Sequence, residues 1–225
     1  MWKTSQLLND PQISLQLRPL TYTRPLRELW LGLSTIEEKW AAFIDELPAD
    51  IYLLGSLIPD AKLLNELKQL APNEALYWNE QWIAYRSDNE ASMPTNRKAL
   101  TYRPNFIAYP EDLLSANSLV LKTEIKPNHF DLNDLTKKGN TFIEPQNCYI
   151  DPSAEILGSI LDASQGPIFI GANTKIQIGT LIQGPAAILD GAITNLGAKI
   201  RPNTTIGKGC KVGGEISASL FFPYS

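Results

Sequence analysis

The sequence predicts an α/β domain followed by a solenoid built from short β-strands. Three observations support this division. From Ile170 to Val212, apolar residues recur every six positions. Eleven of the 14 glycines lie at or after Gly158, whereas all five tryptophans lie at or before Trp82. Upstream of the repeats, apolar residues follow helical and strand-like spacings instead. We place the boundary near residue 140, which gives domains of residues 1–140 and 141–225.

The six-residue period is carried by two columns of residues. A helix repeats every 3.6 residues and a strand every two, so neither explains this spacing, whereas a solenoid that turns at fixed intervals does. We expect the first column to point inward and three repeats to form one triangular coil, with about four coils in all. The first column is apolar apart from one threonine: Ile170, Ile176, Ile182, Ile188, Thr194, Ile200, Ile206 and Val212. Small side chains follow it by four residues: Thr174, Thr180, Ala186, Ala192, Ala198, Thr204 and Cys210.

The repeats begin before Ile170 in a shifted register. Ile150 and Ile156 start the pattern, but the step from Ile156 to Ile170 is two residues longer than a multiple of six. We therefore expect an irregular corner within residues 158–167. At the regular corners, residues that tolerate positive φ precede the small column: Asn173, Gly179, Gly191, Gly197, Asn203 and Gly209. Cys210 is expected to be an inert member of the small column, and Cys148 falls outside it with no assigned role.

The region before the repeats alternates between predicted helices and strands. Ser34 and Glu37 fit a capping box, and the apolar residues behind it keep helical spacing as far as Leu47. The other predicted elements are a strand at 51–54, a helix after Asp60, a hairpin of residues 75–78 and 81–85, and helices starting near 110 and 131. This alternation indicates a layered α/β domain.

Charge and composition exclude several classes of function. The net charge of −4 gives no basic footprint for nucleic acid. No stretch approaches the roughly 18 apolar residues of a membrane span, and the N-terminus lacks the apolar run of a signal peptide. Two cysteines form neither a disulfide framework nor a zinc pattern. We therefore expect a reduced, cytoplasmic protein with no nucleic-acid and no membrane partner.

The two columns resemble the hexapeptide repeat of left-handed parallel β-helices, from Ile150 to about Ala218. The resemblance implies a left-handed coil, an exception to the usual right-handed connection between parallel strands. That fold is typical of acyltransferases that use acetyl-CoA or acyl carrier protein, and it usually forms trimers with active sites between adjacent solenoids. The resemblance thus implies a homotrimer through the β-helix.

A motif near the N-terminus is similar to a second family. The segment Arg18-Pro19-Leu20-Thr21-Tyr22-Thr23-Arg24-Pro25 resembles the P-L-T-x-x-x-P segment of sugar nucleotidyltransferases. Together with the repeats, it resembles the divergent, Bacteroidetes-type version of the bifunctional UDP-N-acetylglucosamine pyrophosphorylase and glucosamine-1-phosphate N-acetyltransferase family, over nearly the whole chain. The resemblance implies a nucleoside triphosphate and a sugar phosphate as substrates, and Mg²⁺ as cofactor.

The chain departs from this family at the phosphate-binding motifs. A G-x-G-T-R loop precedes P-L-T in the family and wraps the triphosphate, whereas residues 12–16 contain no glycine here. Leu26 replaces the lysine that follows the later proline. The family's Gly-Asp pair, whose acid helps to hold Mg²⁺, has its nearest counterpart in Gly55-Ser56. We therefore assign no metal ligand, although Asp60 lies close in sequence.

Positive charge remains beside the motif. Arg18, Arg24 and Arg27 cluster near Thr21, and arginine suits bidentate contact with phosphate. We predict that these four residues bind the phosphates or the nucleotide. The alternative is that the arginines are solvated or ion-paired surface residues. No catalytic residue is identified.

The histidine expected of an acetyltransferase is absent from the repeats. Hexapeptide enzymes commonly use a β-helix histidine as general base, because its pKa lies near working pH. The one histidine, His129, precedes the repeats, and we expect it to have a structural or surface role. In the related family, the acetyl-transfer histidine follows the counterpart of residues 221–225. We expect a C-terminally truncated chain without a terminal cap, or a protein without this activity, with acetyl-CoA used only by a longer form.

Three functions are consistent with the sequence. The first is a sugar-1-phosphate nucleotidyltransferase with a β-helix behind it. The second is a non-catalytic nucleotide-sugar-binding or assembly protein with a degenerate nucleotidyltransferase domain, which the missing glycine loop favours. The third is an acyltransferase whose front domain binds substrate, which the missing repeat histidine disfavours.

Overall fold

The computed structural model describes residues 6–225, and within it the chain divides into two compact units. The first contains the residues up to Trp30 together with Ser34–Asp112, and the second contains Leu31–Leu33 and Leu113–Ser225. The first strand of the repeats is Thr141–Ile143, so the second unit also includes residues that precede the solenoid.

One mixed β-sheet organises the first unit. The strands up to residue 99 are β1 (Leu7–Leu8), β2 (Trp30–Leu31), β3 (Ser34–Thr35), β4 (Ile51–Leu54), β5 (Glu74–Trp78), β6 (Gln81–Arg86) and β7 (Asn96–Ala99). Five of them form a sheet in the order β1-β4-β6-β5-β7. β1 is parallel to β4 and β7 is parallel to β5, whereas β6 is antiparallel to both of its neighbours. The predicted strand at 51–54 and the predicted hairpin are confirmed, with Asn79 at a φ of 51° in the turn.

Three α-helices connect these strands: α1 (Pro11–Gln16), α2 (Ile36–Ala41) and α3 (Ala61–Lys68). α3 is the helix predicted after Asp60. The Asp60 carboxylate accepts a hydrogen bond from the Leu63 amide at 2.8 Å, and the leucines at 63, 64 and 67 are buried. α2 is shorter than predicted, because it ends at Ala41 and a 3₁₀ turn follows at Ile44–Glu46.

The capping box of α2 lies one residue later than predicted. Thr35, not Ser34, is the N-cap: its hydroxyl accepts from the Glu38 amide at 3.2 Å, and the Glu38 carboxylate accepts from the Thr35 amide at 2.8 Å. The sequence S-T-I-E-E satisfies the capping pattern in either frame. Ser34 instead accepts a hydrogen bond from the Lys39 ammonium at 3.2 Å.

The repeats form three parallel sheets around one core, which confirms the left-handed parallel β-helix. Successive strands join the three sheets in rotation: β8-β11-β14-β17-β20, β9-β12-β15-β18 and β10-β13-β16-β19. The strands are β8 (Thr141–Ile143), β9 (Cys148–Ile150), β10 (Glu155–Ile156), β11 (Ile160–Asp162), β12 (Ile168–Ile170), β13 (Lys175–Ile176), β14 (Leu181–Gln183), β15 (Ala186–Ile188), β16 (Ile193–Thr194), β17 (Lys199–Ile200), β18 (Thr204–Ile206), β19 (Lys211–Val212) and β20 (Glu215–Ile216).

The pairing register agrees with a coil of three hexapeptides. Ile170 pairs with Ile188, and Ile188 pairs with Ile206, so equivalent positions are separated by three full repeats. The preceding coil is longer. Ile150 pairs with Ile170, which lies two residues further along the chain than three repeats would place it. The extra residues form the corner at 163–167, between β11 and β12, which lies within the predicted range. The six regular corner residues all have positive φ, from 55° at Asn173 to 78° at Gly179.

Both predicted columns are buried inside the coil, from Ile170 to Val212. Cys210 belongs to the small column, as expected. The placement of Cys148 outside the column was wrong. Cys148 pairs with Ile168, which also pairs with Ala186, so the thiol stands in line with the small inward residues. The spacing in the sequence agrees, because Cys148 precedes Ile150 by two residues, as Ala186 precedes Ile188. Burial raises the pKa of Cys148 to about 12, so the thiol is protonated at neutral pH.

Two further helices belong wholly or largely to the second unit, α4 (Pro110–Glu124) and α5 (Leu132–Lys137). The buried amide of Asn117, on α4, accepts from the Gly32 amide at 2.9 Å and from the Thr205 hydroxyl at 3.1 Å. Gly32 has a φ of 59°, and a Cβ there would overlap Val120. Leu31–Leu33 are thus held against α4 by a residue that must be glycine.

The C-terminal residues lie over the last coil. The Phe221 amide donates to the Thr205 carbonyl at 2.9 Å, the Tyr224 amide donates to the Lys208 carbonyl at 2.8 Å, and Phe221 packs against the core of the β-helix. Leu220 also forms a parallel bridge with Thr205, so this segment continues the sheet that contains β18. Across residues 6–225, no helix has both the length and the apolar character needed to cross a membrane.

Replacing an inward residue should destabilise the β-helix far more than replacing its outward neighbour. Ile176→Ala removes a buried side chain from β13 and is expected to cost about 2–5 kcal/mol of unfolding free energy. Lys175→Ala, one position away and exposed, should cost about 0.5 kcal/mol or less. Urea denaturation followed by circular dichroism measures both. Equal losses would contradict the inward orientation of the column.

Candidate functional site

The carboxyl ends of β1 and β4 lie side by side in the first unit. The Gly55 amide, directly after β4, donates to the Leu8 carbonyl at 2.7 Å. A Cβ on Gly55 would lie 2.7 Å from that same oxygen, so the close approach requires glycine. In open α/β sheets, ligands bind beyond the carboxyl ends of parallel strands. This edge of the sheet is therefore where a ligand site is expected.

Two polar residues follow β1 at this edge. The Asn9 side chain accepts from the Leu26 amide at 2.8 Å, which brings the Pro25–Arg27 segment to the end of the strand. The Asp10 carboxylate caps α1 by accepting from the amides of Gln12 and Ile13, each at 3.0 Å. Residues 12–16, which stand where the family's glycine loop would be, are therefore helical.

A cleft of about 720 Å³ opens beside β1 in the same unit. The loop that follows β6 forms one of its walls. The Tyr85 hydroxyl donates to the Glu90 carbonyl, and the Tyr77 hydroxyl lies 3.2 Å from the Met93 sulfur, so both ends of this wall are tied to the sheet. Backbone and side chains of nine residues line the cleft: Leu7, Leu8, Asn9, Arg27, Trp82, Tyr85, Glu90, Ala91 and Met93.

Aromatic rings form the wall of the cleft on β6. The Trp82 indole Nε1 donates to the Asp10 Oδ2 atom at 2.8 Å. Its ring meets Tyr85 edge-on, with centroids 5.9 Å apart, and Tyr85 in turn stacks on Tyr52 at 5.2 Å. Burial, with a smaller contribution from Glu90, raises the pKa of Tyr85 to about 12, so its hydroxyl stays protonated. The wall is therefore neutral and fixed in orientation.

Of the four predicted phosphate-binding residues, Arg27 lies in the cleft lining. Its Nε atom is 3.4 Å from the Glu37 carboxylate, and within the described residues this buried atom makes no hydrogen bond. Burial raises the pKa of Glu37, and Arg27 opposes that shift. A cation that is held beside a cleft in this way is suited to contact an anionic ligand.

The other three candidates lie outside the residues that line this cleft. The Thr21 hydroxyl donates to the Ser14 carbonyl at 2.5 Å and thereby fixes the loop after α1. Arg18 is exposed, with its guanidinium 5.1 Å from the centroid of the Tyr22 ring. Arg24 is half-buried. The structure thus separates Arg27 from the rest of the predicted cluster.

The two aspartates near this edge are already engaged. Asp10 accepts from two amides and an indole, and Asp60 caps α3 and accepts from the Asn105 amide at 3.2 Å. Ser56 is fully buried, and its hydroxyl has no hydrogen-bond partner among residues 6–225. Over the same residues, no group of three or more histidines, cysteines, aspartates or glutamates could hold a metal ion. These side chains do not fit a resident divalent cation.

The sequence missed the aromatic wall and the residues after β1. Trp82, Tyr85 and Met93 lie far along the chain from the motif, and only the pairing of β6 with β4 brings them to it. The sequence does contain one indication of this site. Asn9 and Asp10 directly follow a short apolar pair, which is the position expected of polar residues at the end of a buried strand.

A family model described as sugar nucleotidyl transferase matches residues 6–54 and 45–128. These ranges span more than half of the chain and include every residue that lines the cleft. A search of curated proteins finds no match to the chain. Because the matched region holds both strands that define the site and the whole of its lining, the chain belongs to the sugar nucleotidyl transferase family.

Proposed function

We propose that this chain transfers a uridylyl group from UTP to N-acetylglucosamine-1-phosphate, as a UDP-N-acetylglucosamine pyrophosphorylase does. The observation that carries the proposal is the position of Arg27 in a cleft at the carboxyl end of β1, inside the region that matches the family. In this reaction a phosphate oxygen of the sugar phosphate attacks the α-phosphorus of UTP. The bond between the α-phosphorus and the bridging oxygen breaks, and pyrophosphate leaves.

Positioning and charge neutralisation are the contributions this cleft can make. Arg27 contacts the triphosphate and offsets the charge that develops as pyrophosphate leaves. The end of β1 and the wall of β6 hold the two substrates in fixed orientation, which lowers the entropic cost of reaction. The substrate phosphates would supply most ligands of any Mg²⁺ that takes part, because the nearby aspartates are engaged in hydrogen bonds and this ion commonly binds through substrate phosphates.

A binding protein without catalytic activity is the second candidate. Two observations favour it: α1 replaces the glycine loop, and Ser56 stands where the family has an acid. Such a protein would hold a nucleotide sugar in the same cleft and release no pyrophosphate. An activity assay therefore separates the two candidates directly.

The β-helix serves as a scaffold in this proposal. Its core is filled by aliphatic and small side chains, and the one histidine of the sequence, His129, is exposed at a position before the first coil. A histidine general base is therefore missing from the coils described here. We propose that this chain does not acetylate glucosamine-1-phosphate and that acetyl-CoA would serve a longer form alone.

The β-helix also carries a surface suited to a homotrimer. Exposed apolar residues lie at one corner: Ile178 and Leu196 occupy equivalent positions in successive coils, Leu157 lies one residue off that line, and Leu196 is 72% exposed. Ile160 and Leu181 continue this surface on the adjoining sheet, where they pair with each other. A group of apolar side chains that is exposed to solvent indicates an interaction surface. We propose that copies of this chain associate through it about a three-fold axis.

Removal of the Arg27 guanidinium should impair catalysis without impairing the fold. With UTP, N-acetylglucosamine-1-phosphate and Mg²⁺, Arg27→Ala is expected to lower kcat/KM for pyrophosphate release by about 10-fold or more. Glu37→Gln is the matched control, because it breaks the same ion pair and keeps the arginine. It should retain activity within about 3-fold. Absence of pyrophosphate release from wild type with any nucleotide or sugar phosphate would favour the binding-protein candidate.

A charge placed on the apolar surface should cause the trimer to dissociate. Light scattering is expected to give three times the chain mass for wild type, and a lower mass for Leu181→Lys, because the new ammonium would be buried in the interface. Lys175→Ala, on another sheet, should leave the mass unchanged. A monomeric wild type, or a Leu181→Lys protein that remains trimeric, would contradict this interface.

A further inference from the structure

We infer that the indole of Trp82 is the platform on which the base of the nucleotide stacks, with the phosphates directed toward Arg27. This inference rests on the proposed function, since it assigns the orientation of the nucleotide within the same cleft. The P-L-T motif gave no indication of it, because Trp82 lies on β6, far along the chain from that motif.

The cleft has the size and lining of a small-molecule site. Its volume of about 720 Å³ falls within the range of roughly 300–1,000 Å³ that is usual for such sites. Leu7, Leu8, Ala91 and Met93 supply apolar surface, and Arg27 is the one cation among the residues that line it. A ligand that fits must therefore combine an apolar, planar part with an anionic part. Of the two substrate classes, the nucleotide has both, whereas a sugar phosphate has no planar ring.

Trp82 is held ready for stacking before a ligand arrives. The hydrogen bond from its Nε1 atom to Asp10 at 2.8 Å fixes the rotation of the ring, and the edge contact with Tyr85 supports it from the sheet side. The residue is half-buried, so part of its surface remains available. A ring that is already ordered loses little conformational entropy when a base stacks on it.

Arg27 defines the other end of the ligand. The hydrogen bond between Asn9 and the Leu26 amide places the Leu26–Glu28 turn beside the end of β1. The Tyr85 hydroxyl donates to the main-chain carbonyl of Glu90 and stays uncharged, whereas the Glu90 side chain places a carboxylate on the loop after β6. The wall on β6 is thus neutral and aromatic, and the positive charge lies on the turn. This asymmetry sets the direction of a bound nucleotide.

Calorimetric titrations with UTP and with inorganic tripolyphosphate, both with Mg²⁺, test the inference. Trp82→Leu is expected to weaken UTP binding by about 10-fold or more and to change tripolyphosphate binding by less than about 3-fold. Trp82→Phe is the matched control: it loses the same hydrogen bond to Asp10 but keeps an aromatic face, so UTP affinity should stay within about 3-fold of the wild-type value. Arg27→Ala should weaken both ligands.

A second measurement, on wild-type protein, tests the inference even if the Trp82→Leu variant does not fold. In wild-type protein labelled with 5-fluorotryptophan, UTP should shift the ¹⁹F resonance of Trp82, assigned with Trp82→Phe, and tripolyphosphate should shift it far less. Unchanged UTP affinity in Trp82→Leu, equal losses for both ligands, or a Trp82 resonance unmoved by saturating UTP would overturn the inference.

Pyrophosphate release, measured in parallel, keeps the two proposals apart. Turnover with UTP affinity that does not depend on Trp82 would leave the proposed function standing and reject the stacking platform. UTP binding that depends on Trp82, without turnover on any sugar phosphate, would reject the enzymatic function and support the platform.

Discussion

The hydrogen bond from the Gly55 amide to the Leu8 carbonyl holds β1 and β4 edge to edge, and the site depends on it. Because no side chain can be accommodated at Gly55, the strands meet closely enough for their carboxyl ends to share one edge of the sheet. β6 then pairs with β4 from the other side and brings Trp82 to Asp10, which follows β1. Parallel pairing is equally important in the second unit, where the strands of each coil pair with those of the next coil.

The chemistry that this arrangement supports is positioning rather than covalent catalysis. Asp10 is used for structure, since it caps α1 and orients Trp82, and Asp60 caps α3. A single cation, Arg27, remains in the lining of the cleft. Phosphoryl-type transfer needs charge neutralisation and alignment more than a nucleophilic side chain, so a cleft with one arginine and a fixed aromatic wall is compatible with family membership even without a glycine loop.

The inward-facing residues of the β-helix could be predicted almost individually from the sequence. Their six-residue spacing is visible within a short stretch of chain, and each coil repeats the same packing constraint. Cys148 follows the same local rule, because it precedes Ile150 by two residues as Ala186 precedes Ile188, so its place in the small column was predictable as well. In the first unit, cap and turn residues predicted α3 and the hairpin. The N-cap residue of α2 could not be assigned from the sequence, because both Ser34 and Thr35 fit the capping pattern. Arg27 was among the predicted phosphate-binding residues. Trp82 was not, because antiparallel pairing of β6 with β4 is a long-range contact that no local pattern encodes.

Hydrogen–deuterium exchange with and without UTP and Mg²⁺ tests the central claim, that the nucleotide binds in the cleft between β1 and the wall of β6. Saturating UTP is predicted to slow exchange at residues 7–10, 26–28 and 82–93, which line or support the cleft, and to leave exchange in the coils from Ile168 to Ile206 unchanged. Protection confined to the β-helix, or no protection around Trp82 and Arg27 at saturating UTP, would contradict the account.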